Sequence, residues 1–361
     1  MTQNTRTEEI WILGATGRIG RAVAERLGAR GVNVVLIGRD QERLSVVGTA
    51  HCPGGKARVL VLDGIDRIAQ EIALRKPAVV VNTIGGYAES AVMIARACMP
   101  GGHYVDLAAD LVAVPRLFDL HQDAVRAGST LVTGSGFGVL ATEAVVVKLC
   151  EGRPTPDSVR VDAVSSVAIE AGVMGAAFAA SIVDVLTTGG RRYRGGRVVK
   201  ARLGADLQRL SLPDGQSATS AGTPSAELHA AHAASGAPSV TATSALAPTA
   251  PVVRAMLPLL GAALSIPPLR RLAVRRIART ELRAAPRPRE HSWGHAVIRW
   301  ADGTSREGWL RAGDGMDFTA DIAAEVAARL AEGNTEPGVF TPAAAFGPDL
   351  ATAAGATFIL D

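Results

Sequence analysis

The residues best suited to chemistry near the start of the chain are glycines at every third position, in Gly14-Ala15-Thr16-Gly17-Arg18-Ile19-Gly20. An apolar run, Ile10 to Leu13, leads into them, and a helical stretch, Arg21 to Arg30, leads out. A buried strand, a glycine-rich turn and a helix in that order cradle the pyrophosphate of a dinucleotide. Gly14 allows the tight turn, Gly17 lets the backbone approach the phosphates, and Gly20 lets the helix pack on the strand. The helix start then offers unpaired N–H groups and a positive dipole end to the anion. Thr16, Arg18 and Ile19 lie in the same turn and are expected to share in cofactor binding.

The end of the next strand, Val32 to Ile37, selects the dinucleotide. An NAD site usually has an acid there to accept from the ribose 2′-OH. Here the strand runs into Gly38-Arg39-Asp40. A guanidinium at Arg39 suits the extra phosphate of NADP(H) through charge-assisted hydrogen bonds. Such a bond is worth about 1.5–3 kcal/mol, roughly a 10- to 150-fold preference. Asp40 is read as the cap of the following helix, Gln41 to Val47.

A hydride from NADPH needs an electron-poor C=N, C=O or conjugated C=C, and a proton donor often accompanies it. Alternation along His103-Tyr104-Val105-Asp106-Leu107 puts Tyr104 and Asp106 on one strand face, His103 on the other. Tyr104 is the expected donor, with Asp106 orienting or polarising it; Tyr87, just past a glycine turn, is a third candidate. As a plainer role, Asp106 would be a helix cap. His103 reads as structural and Glu143 as a cap at a helix start. The Tyr-x-x-x-Lys pair of short-chain dehydrogenases is absent, because Ala91, Ala108 and Arg197 stand four residues after the three tyrosines. His229-x-x-His232 and His291-x-x-x-His295 lack cysteine or carboxylate partners at usable spacing, so no metal site is expected.

The elements that position these groups follow from the apolar pattern. Arg58 to Asp63 reads as a third strand, whose Asp63 is expected by the adenine. Pro77 to Gly86 is a fourth, placing Asn82, Thr83, Ile84 and Gly85 along the pyrophosphate and nicotinamide ribose. Helices are expected over 66–75, 88–99, 114–127 and 142–150, and a sixth strand over 130–133. Six strands alternating with helices predict an α/β fold: a doubly wound parallel Rossmann sheet over 1–150. A second α+β domain on a mixed sheet is expected over 151–318, and a C-terminal helix and tail over 319–361. Within the second domain, the Ser/Thr/Ala/Gly/Pro-rich run 212–251 is read as ordered, with Thr223-Pro224 starting a helix and Gly236 ending it. A hairpin joins 293–298 to 306–310 through Ala301-Asp302-Gly303-Thr304.

The net charge of +4 over 361 residues is too mild to argue for nucleic acid. It is unevenly spread: residues 251–289 hold nine arginines against one acid, Glu281. The stretch 252–277 alternates apolar blocks with arginine pairs and is broken by Pro258, Pro267 and Pro268. It reads as a cover helix with solvated arginines, or as a short amphipathic element meeting an anionic membrane surface or a greasy substrate. Membrane contact is therefore expected to be peripheral at most, through 252–283. The three cysteines form no C-x-x-C, and no export signal or bilayer-spanning run is visible, so a cytoplasmic location is expected.

With these pieces placed, the chain resembles the saccharopine dehydrogenase-like reductases. The likeness rests on Gly14 to Gly20, Ala97-Cys98, Gly102 to Leu107, Gly134-Ser135-Gly136-Phe137, Thr319-Ala320 and Gly338 to Ala343. It departs from that family's pattern at Gly85-Gly86-Tyr87 and Ala109-Asp110. The resemblance implies an NADP-binding, two-domain oxidoreductase whose second domain pairs subunits into a homodimer and covers the nicotinamide, and whose C-terminal segment returns to the first domain. The expected function is an NADPH-dependent reductase of a small or hydrophobic molecule; the alternative is a redox-sensing protein that binds NADP without chemistry.

Overall fold

The computed structural model describes residues 7–52, 57–333 and 335–360. The expected outer limits at 1 and 361 lie outside the described residues. The chain divides into two compact units. The first comprises residues 1–108, 112–136 and 316–345; the second comprises 109–111, 137–315 and 346–361.

The first unit begins with β1 (Thr7–Leu13), α1 (Arg18–Ala29), β2 (Val34–Gly38), α2 (Gln41–His51), β3 (Ala57–Val61) and α3 (Ile65–Arg75). It continues through β4 (Pro77–Asn82), α4 (Tyr87–Cys98), β5 (His103–Asp106), α5 (Ala113–Phe118), α6 (His121–Ala127) and β6 (Thr130–Val132). The helices form where apolar residues recur on one face: α1 buries Gly20, Val23, Ala24 and Leu27. Asp40 caps α2 by accepting from Arg43 N at 3.0 Å, as its position predicts. The helix expected over 114–127 is instead two short ones, α5 and α6, because the chain turns at 119–120.

The second unit starts with α7 (Phe137–Cys150), β7 (Ser158–Val164), β8 (Gly172–Val173), α8 (Ala176–Thr188), β9 (Gly190–Arg194) and β10 (Arg197–Ala201). It goes on through β11 (Gln208–Ser211), β12 (Ser217–Gly222), α9 (Glu227–Ser235), β13 (Ser239–Ser244), α10 (Pro251–Leu264) and α11 (Pro267–Ala278). Then come β14 (Glu281–Leu282), β15 (Ser292–Arg299) and β16 (Ser305–Ala312). The run 212–251 is ordered as β12, α9 and β13. Gly236 ends α9 in the left-handed conformation, but the helix starts at Glu227, three residues after the expected Thr223-Pro224 signal. The hairpin β15–β16 forms in continuous antiparallel register.

The chain returns to the first unit through α12 (Gly315–Glu332) and β17 (Gly338–Phe340). It ends in α13 (Pro342–Phe346), α14 (Leu350–Ala353) and β18 (Thr357–Leu360), and β18 pairs with β16 in the second unit. Among the described residues the first sheet has the order β17-β6-β5-β4-β1-β2-β3, with every pair parallel. This is the doubly wound α/β sheet that alternation predicts. Its strand order reverses between β1 and β4, and ligand crevices lie at such a switch point, beyond the strands' carboxyl ends. The second sheet runs β10-β9-β13-β7-β15-β16-β18, with β12 and β11 added beside β13; β13 and β7 are parallel and the sheet is mixed.

The unit boundaries differ from the expected ones: besides the short exchanges at 109–111 and 316–318, two elements change place. α7 belongs to the second unit, not to a domain ending at Cys150. Ten of its residues are buried, so it has no solvent face to mark it as a cover helix of the first sheet. Gly294 on β15 admits it: a Cβ there would stand 2.5 Å from Ala141 O. The C-terminal tail is also shared, since only its part up to Ala345 joins the first unit.

Candidate functional site

At the end of β1 the backbone turns sharply. Gly14 N and Ala15 N both donate to Ile37 O, at 2.9 and 3.1 Å, and Gly17 N donates to Gly14 O at 2.9 Å. Gly14 has φ +77°, where side chains are strained, and a Cβ would meet Thr83 Oγ1 at 2.9 Å. Gly20 has ordinary backbone angles but no space, because a Cβ would lie 2.3 Å from Gly14 O. A Cβ on Gly17, which is exposed, would meet only Gly14 O at 3.3 Å. Two glycines are thus required by packing and one leaves an open approach to the backbone. Gly14 and Gly20 have the turn and packing roles expected of them.

Gly17 caps α1 with no side-chain hydrogen bond, and no acid lies in the first turn. The helix therefore presents its amide end to this crevice with no acid in its own first turn. Thr16, Arg18 and Ile19 are half-buried around the turn, and Arg21 Nη1 donates to Thr16 O at 3.1 Å. The backbone and dipole there suit a pyrophosphate.

The opposite wall is the loop after β4. Thr83 Oγ1 donates to Leu13 O at 2.7 Å, tying the ends of β4 and β1 together. Asn82 is fully buried; its Nδ2 donates to Tyr104 Oη at 3.1 Å and its Oδ1 accepts from Ile84 N at 3.1 Å. Tyr87 Oη donates to Asn82 O at 3.2 Å. Gly85 and Gly86 follow with φ +77° and +61°, which turn the chain into α4. Asn82, Thr83, Ile84 and Gly85 therefore lie at the switch point with Gly14.

Arg39 is exposed at the end of β2, with no ion pair or side-chain hydrogen bond among the described residues. Asp40 caps α2 through Oδ1. Asp63 is exposed just beyond β3, after Leu62 N donates to Gly38 O at 3.0 Å. Both groups stand at strand ends on the β2–β3 side of the crevice.

The residues expected to do the proton chemistry sit elsewhere than expected. Tyr104 is completely buried in the core of the first unit, packed among residues such as Trp11, Val80 and Leu131. Burial, and then the neighbouring Asp106 charge, push its phenol well above the usual range. A phenol with no access to solvent is a core side chain, so the donor role is corrected on that ground. Asp106 caps no helix. Its Oδ1 accepts from Ala108 N, Thr133 Oγ1 and Gly134 N at 3.0, 2.8 and 3.1 Å, stapling the ends of β5 and β6. Burial raises it to about 6, against those three hydrogen bonds, and its Oδ2 has no partner. Tyr87 is half-buried and its hydroxyl serves Asn82 O. Tyr104, Asp106 and Tyr87 are thus brought together around Asn82 as supports of the crevice wall.

The plainer readings divide. His103 is structural: its Nδ1 accepts from Thr130 N at 3.1 Å. Glu143 is not at a helix start, because α7 begins at Phe137 and buries it in mid-helix. His229 and His232 both pack on Tyr193, His229 Nδ1 lying 2.8 Å from the phenol and His232 stacked at 3.9 Å. Among the described residues no group of three or more His, Cys, Asp or Glu could hold a metal.

Two polar features of the second unit were not singled out from the sequence. Asp162 on β7 contacts His295 Nδ1 at 2.9 Å and Arg160 Nη2 at 2.8 Å, and Glu307 lies 3.0 Å from His295 Nε2. Burial would raise Asp162, but hydrogen bonds from His295 and Arg160 outweigh it and hold the carboxyl well below its usual range. His295 also stacks on Trp309 at 3.8 Å. Glu227, at the start of α9, is buried with Oε2 unpaired, and burial raises its carboxyl. Strand register was the missing signal for the first, since His295 and Asp162 become direct neighbours only when β15 pairs with β7.

Residues 10–136 match the model of the NAD dependent epimerase/dehydratase family, about a third of the chain. Two Mycobacterium tuberculosis proteins, each named as a trans-acting enoyl reductase, are 28% identical over 154 residues. The match covers 41% of this chain and 37% of theirs, so the chain spans well under half the length of the curated relatives it matches. Among solved structures, an Escherichia coli serine dehydrogenase is 18% identical with a TM-score of 0.31, covering 35% of this chain and 80% of that one. A metagenomic short-chain oxidoreductase in complex with NADP is 19% identical, also at 0.31, covering 36% and 81%. Likeness at that level bears on neither substrate nor residues. The family match covers the strands β1 to β6 of the first unit and agrees with the Rossmann sheet and the NAD(P)-dependent oxidoreductase class expected from the sequence.

Proposed function

We propose that this chain is an NADPH-dependent reductase acting on an electron-poor double bond, with a C=C conjugated to a carbonyl favoured over C=N and C=O. One observation carries the reading: the β1–α1 turn, where Gly14 and Gly20 have no room for a Cβ and α1 starts with no side-chain cap and no acid in its first turn. That turn suits a pyrophosphate, so the residues present fit the dinucleotide. Gly14, Thr16, Gly17, Arg18, Ile19 and Gly20 would hold the pyrophosphate. Arg39 would take the 2′-phosphate and Asp63 the adenine end, with Asn82 to Gly85 along the nicotinamide ribose. When bound, NADPH supplies the hydride.

The chain's own part is positioning. Asn82 fixes the loop at Ile84 N, while Tyr104 and Tyr87 hold Asn82. Asp106 ties β5 to β6 beside them. The preference for a conjugated C=C is supported by the name of the mycobacterial relatives. The resemblance to saccharopine dehydrogenase-like reductases supports NADP and the two-domain plan.

Fluorescence titration with NADPH and NADH tests the shared premise. Tighter NADPH binding is expected; tighter NADH binding overturns the role of Arg39, and binding of neither overturns the whole reading. NADPH oxidation against a conjugated enoyl thioester, an imine and a ketone then tests the substrate class. A second reading, an NADP-binding redox-sensing protein without chemistry, is favoured by the burial of Tyr104 and Asp106. NADPH binding without turnover across that panel would assign it.

A further inference from the structure

The helical subassembly α8, α10 and α11 of the second unit carries a surface that its own packing does not explain. α10 buries only Leu257 and Gly261, one helical turn apart. Gly261 lets it press on α8, since a Cβ there would stand 2.5 Å from Leu186 O. Pro258 inside α10 cannot donate to Arg254 O, which instead accepts from Arg202 Nη2 at 3.4 Å. The helix is therefore kept intact while its other face is turned outward. On that face Val252, Met256 and Leu259 follow one another at helical spacing and are 74%, 51% and 72% exposed. Ile266 and Leu269 continue the apolar surface into the bend, where α11 leaves at 115°.

α11 has no buried residue, and its outward face carries Arg271, Leu272, Arg275, Arg276 and Arg279. No carboxylate occurs from Pro251 to Thr280. Arg270 is held by Asp184 at 2.7 Å, but the side chains of Arg271, Arg275, Arg276 and Arg279 have no partner among the described residues. An aliphatic helix face thus stands beside a second face of unpaired guanidinium groups.

We infer that α10 and α11 form a docking surface for an anionic lipid membrane, with the α10 aliphatics entering the acyl boundary and the α11 arginines meeting lipid phosphates. Large exposed apolar patches on a monomer mark interaction sites. The charge identifies this partner. A two-fold contact between copies of the chain sets the same patch against itself and brings arginines toward arginines with no acid between them. A membrane bearing anionic headgroups satisfies both faces at once. No single helix among the described residues is long and apolar enough to cross a bilayer, and α10 and α11, which reach that length and composition only together, are bent by 115°; the inference places both in the interface plane.

The test is flotation of the full-length chain with phosphatidylcholine vesicles, with and without phosphatidylserine. Two variants accompany it, Val252→Asn with Leu259→Asn, and Arg271→Gln with Arg275→Gln, Arg276→Gln and Arg279→Gln. All six positions are exposed, and circular dichroism together with NADPH titration confirms that each variant is folded. Binding is expected only with phosphatidylserine, weakening at high salt, and at least about tenfold weaker in each variant. Equal binding to both vesicle types, no binding, or binding indifferent to the arginines overturns the inference. So does a dimer that dissociates in the Val252/Leu259 variant with no vesicle binding in either form, which would assign the face to a second copy. Saturable binding of a soluble fluorescent acyl probe, lost in that variant and again without vesicle binding, would assign it to a hydrophobic ligand.

Discussion

Thr83 Oγ1 donates to Leu13 O at 2.7 Å and stands 2.9 Å from the place a Cβ on Gly14 would occupy. The loops after β1 and β4 therefore close on each other at the switch point, and only a glycine at 14 permits it. The crevice is built by backbone proximity more than by any side chain that points into it.

A glycine series separates packing from ligand approach. Gly20→Ala should cost about 1–3 kcal/mol of stability, because its methyl meets fixed backbone. Gly14→Ala should cost roughly 1–2 kcal/mol through its positive φ alone. Gly17→Ala should keep wild-type stability and bind NADPH at least about tenfold more weakly, since its methyl blocks the backbone approach. Denaturant midpoints and cofactor titration measure the two effects. A stable Gly20→Ala, or a Gly17→Ala with unchanged affinity, would contradict the division of roles.

Arg39→Ala should weaken NADPH binding by about 10- to 150-fold and leave NADH binding unchanged. The quantity to measure is the ratio of the two dissociation constants. A ratio that stays constant on substitution would mean that the guanidinium does not reach the 2′-phosphate.

Asp106 makes stability fall as pH rises. Its folded value is raised from 3.8 to about 6, so between those values the native state holds a proton that the unfolded chain has lost. The group then costs on the order of 3 kcal/mol of stability above pH 6. Asp106→Asn keeps an acceptor for Ala108, Thr133 and Gly134 and should flatten that part of the profile. Urea unfolding of both proteins from pH 4 to pH 7 checks it; parallel profiles would show that the carboxyl titrates normally.

Asp162 works in the opposite direction. Its folded value is lowered by His295 and Arg160, so its contribution is fully present above the ordinary carboxylate range and is lost as pH falls below it. Asp162→Asn should cost about 3–5 kcal/mol at neutral pH, because it leaves the Arg160 charge without its buried partner. Thermal melts at pH 7 and pH 3 should differ less in the variant than in the wild type. An unchanged melting temperature at pH 7 would show that the pair contributes nothing net.

The first unit was legible because its signals are local. The Gly14–Gly20 spacing, the Asp40 cap and the apolar strands each lie within a few residues of what they govern. Tyr104 was misread for a physical reason. Period-two alternation puts it on one face with Asp106, but not which face helices cover, and α4 and α5 seal that side. The home of α7 was hidden because a helix buried nearly all round has no polar stripe to orient it. The Asp162–His295–Glu307 contact needed the pairing of β7, β15 and β16, and no spacing within one segment encodes that register.

Because β17 lies beside β6 at the margin of the parallel sheet, the first unit is completed by residues synthesised only after 137–315 of the second. A nascent chain that has cleared the ribosome only as far as β16 already owns the glycine turn, yet its β6 still offers a bare row of amides and carbonyls along one border. Until α12 and β17 arrive, that border is open to pairing with other chains, and the time during which it must be shielded is the time taken to translate residues 137–340.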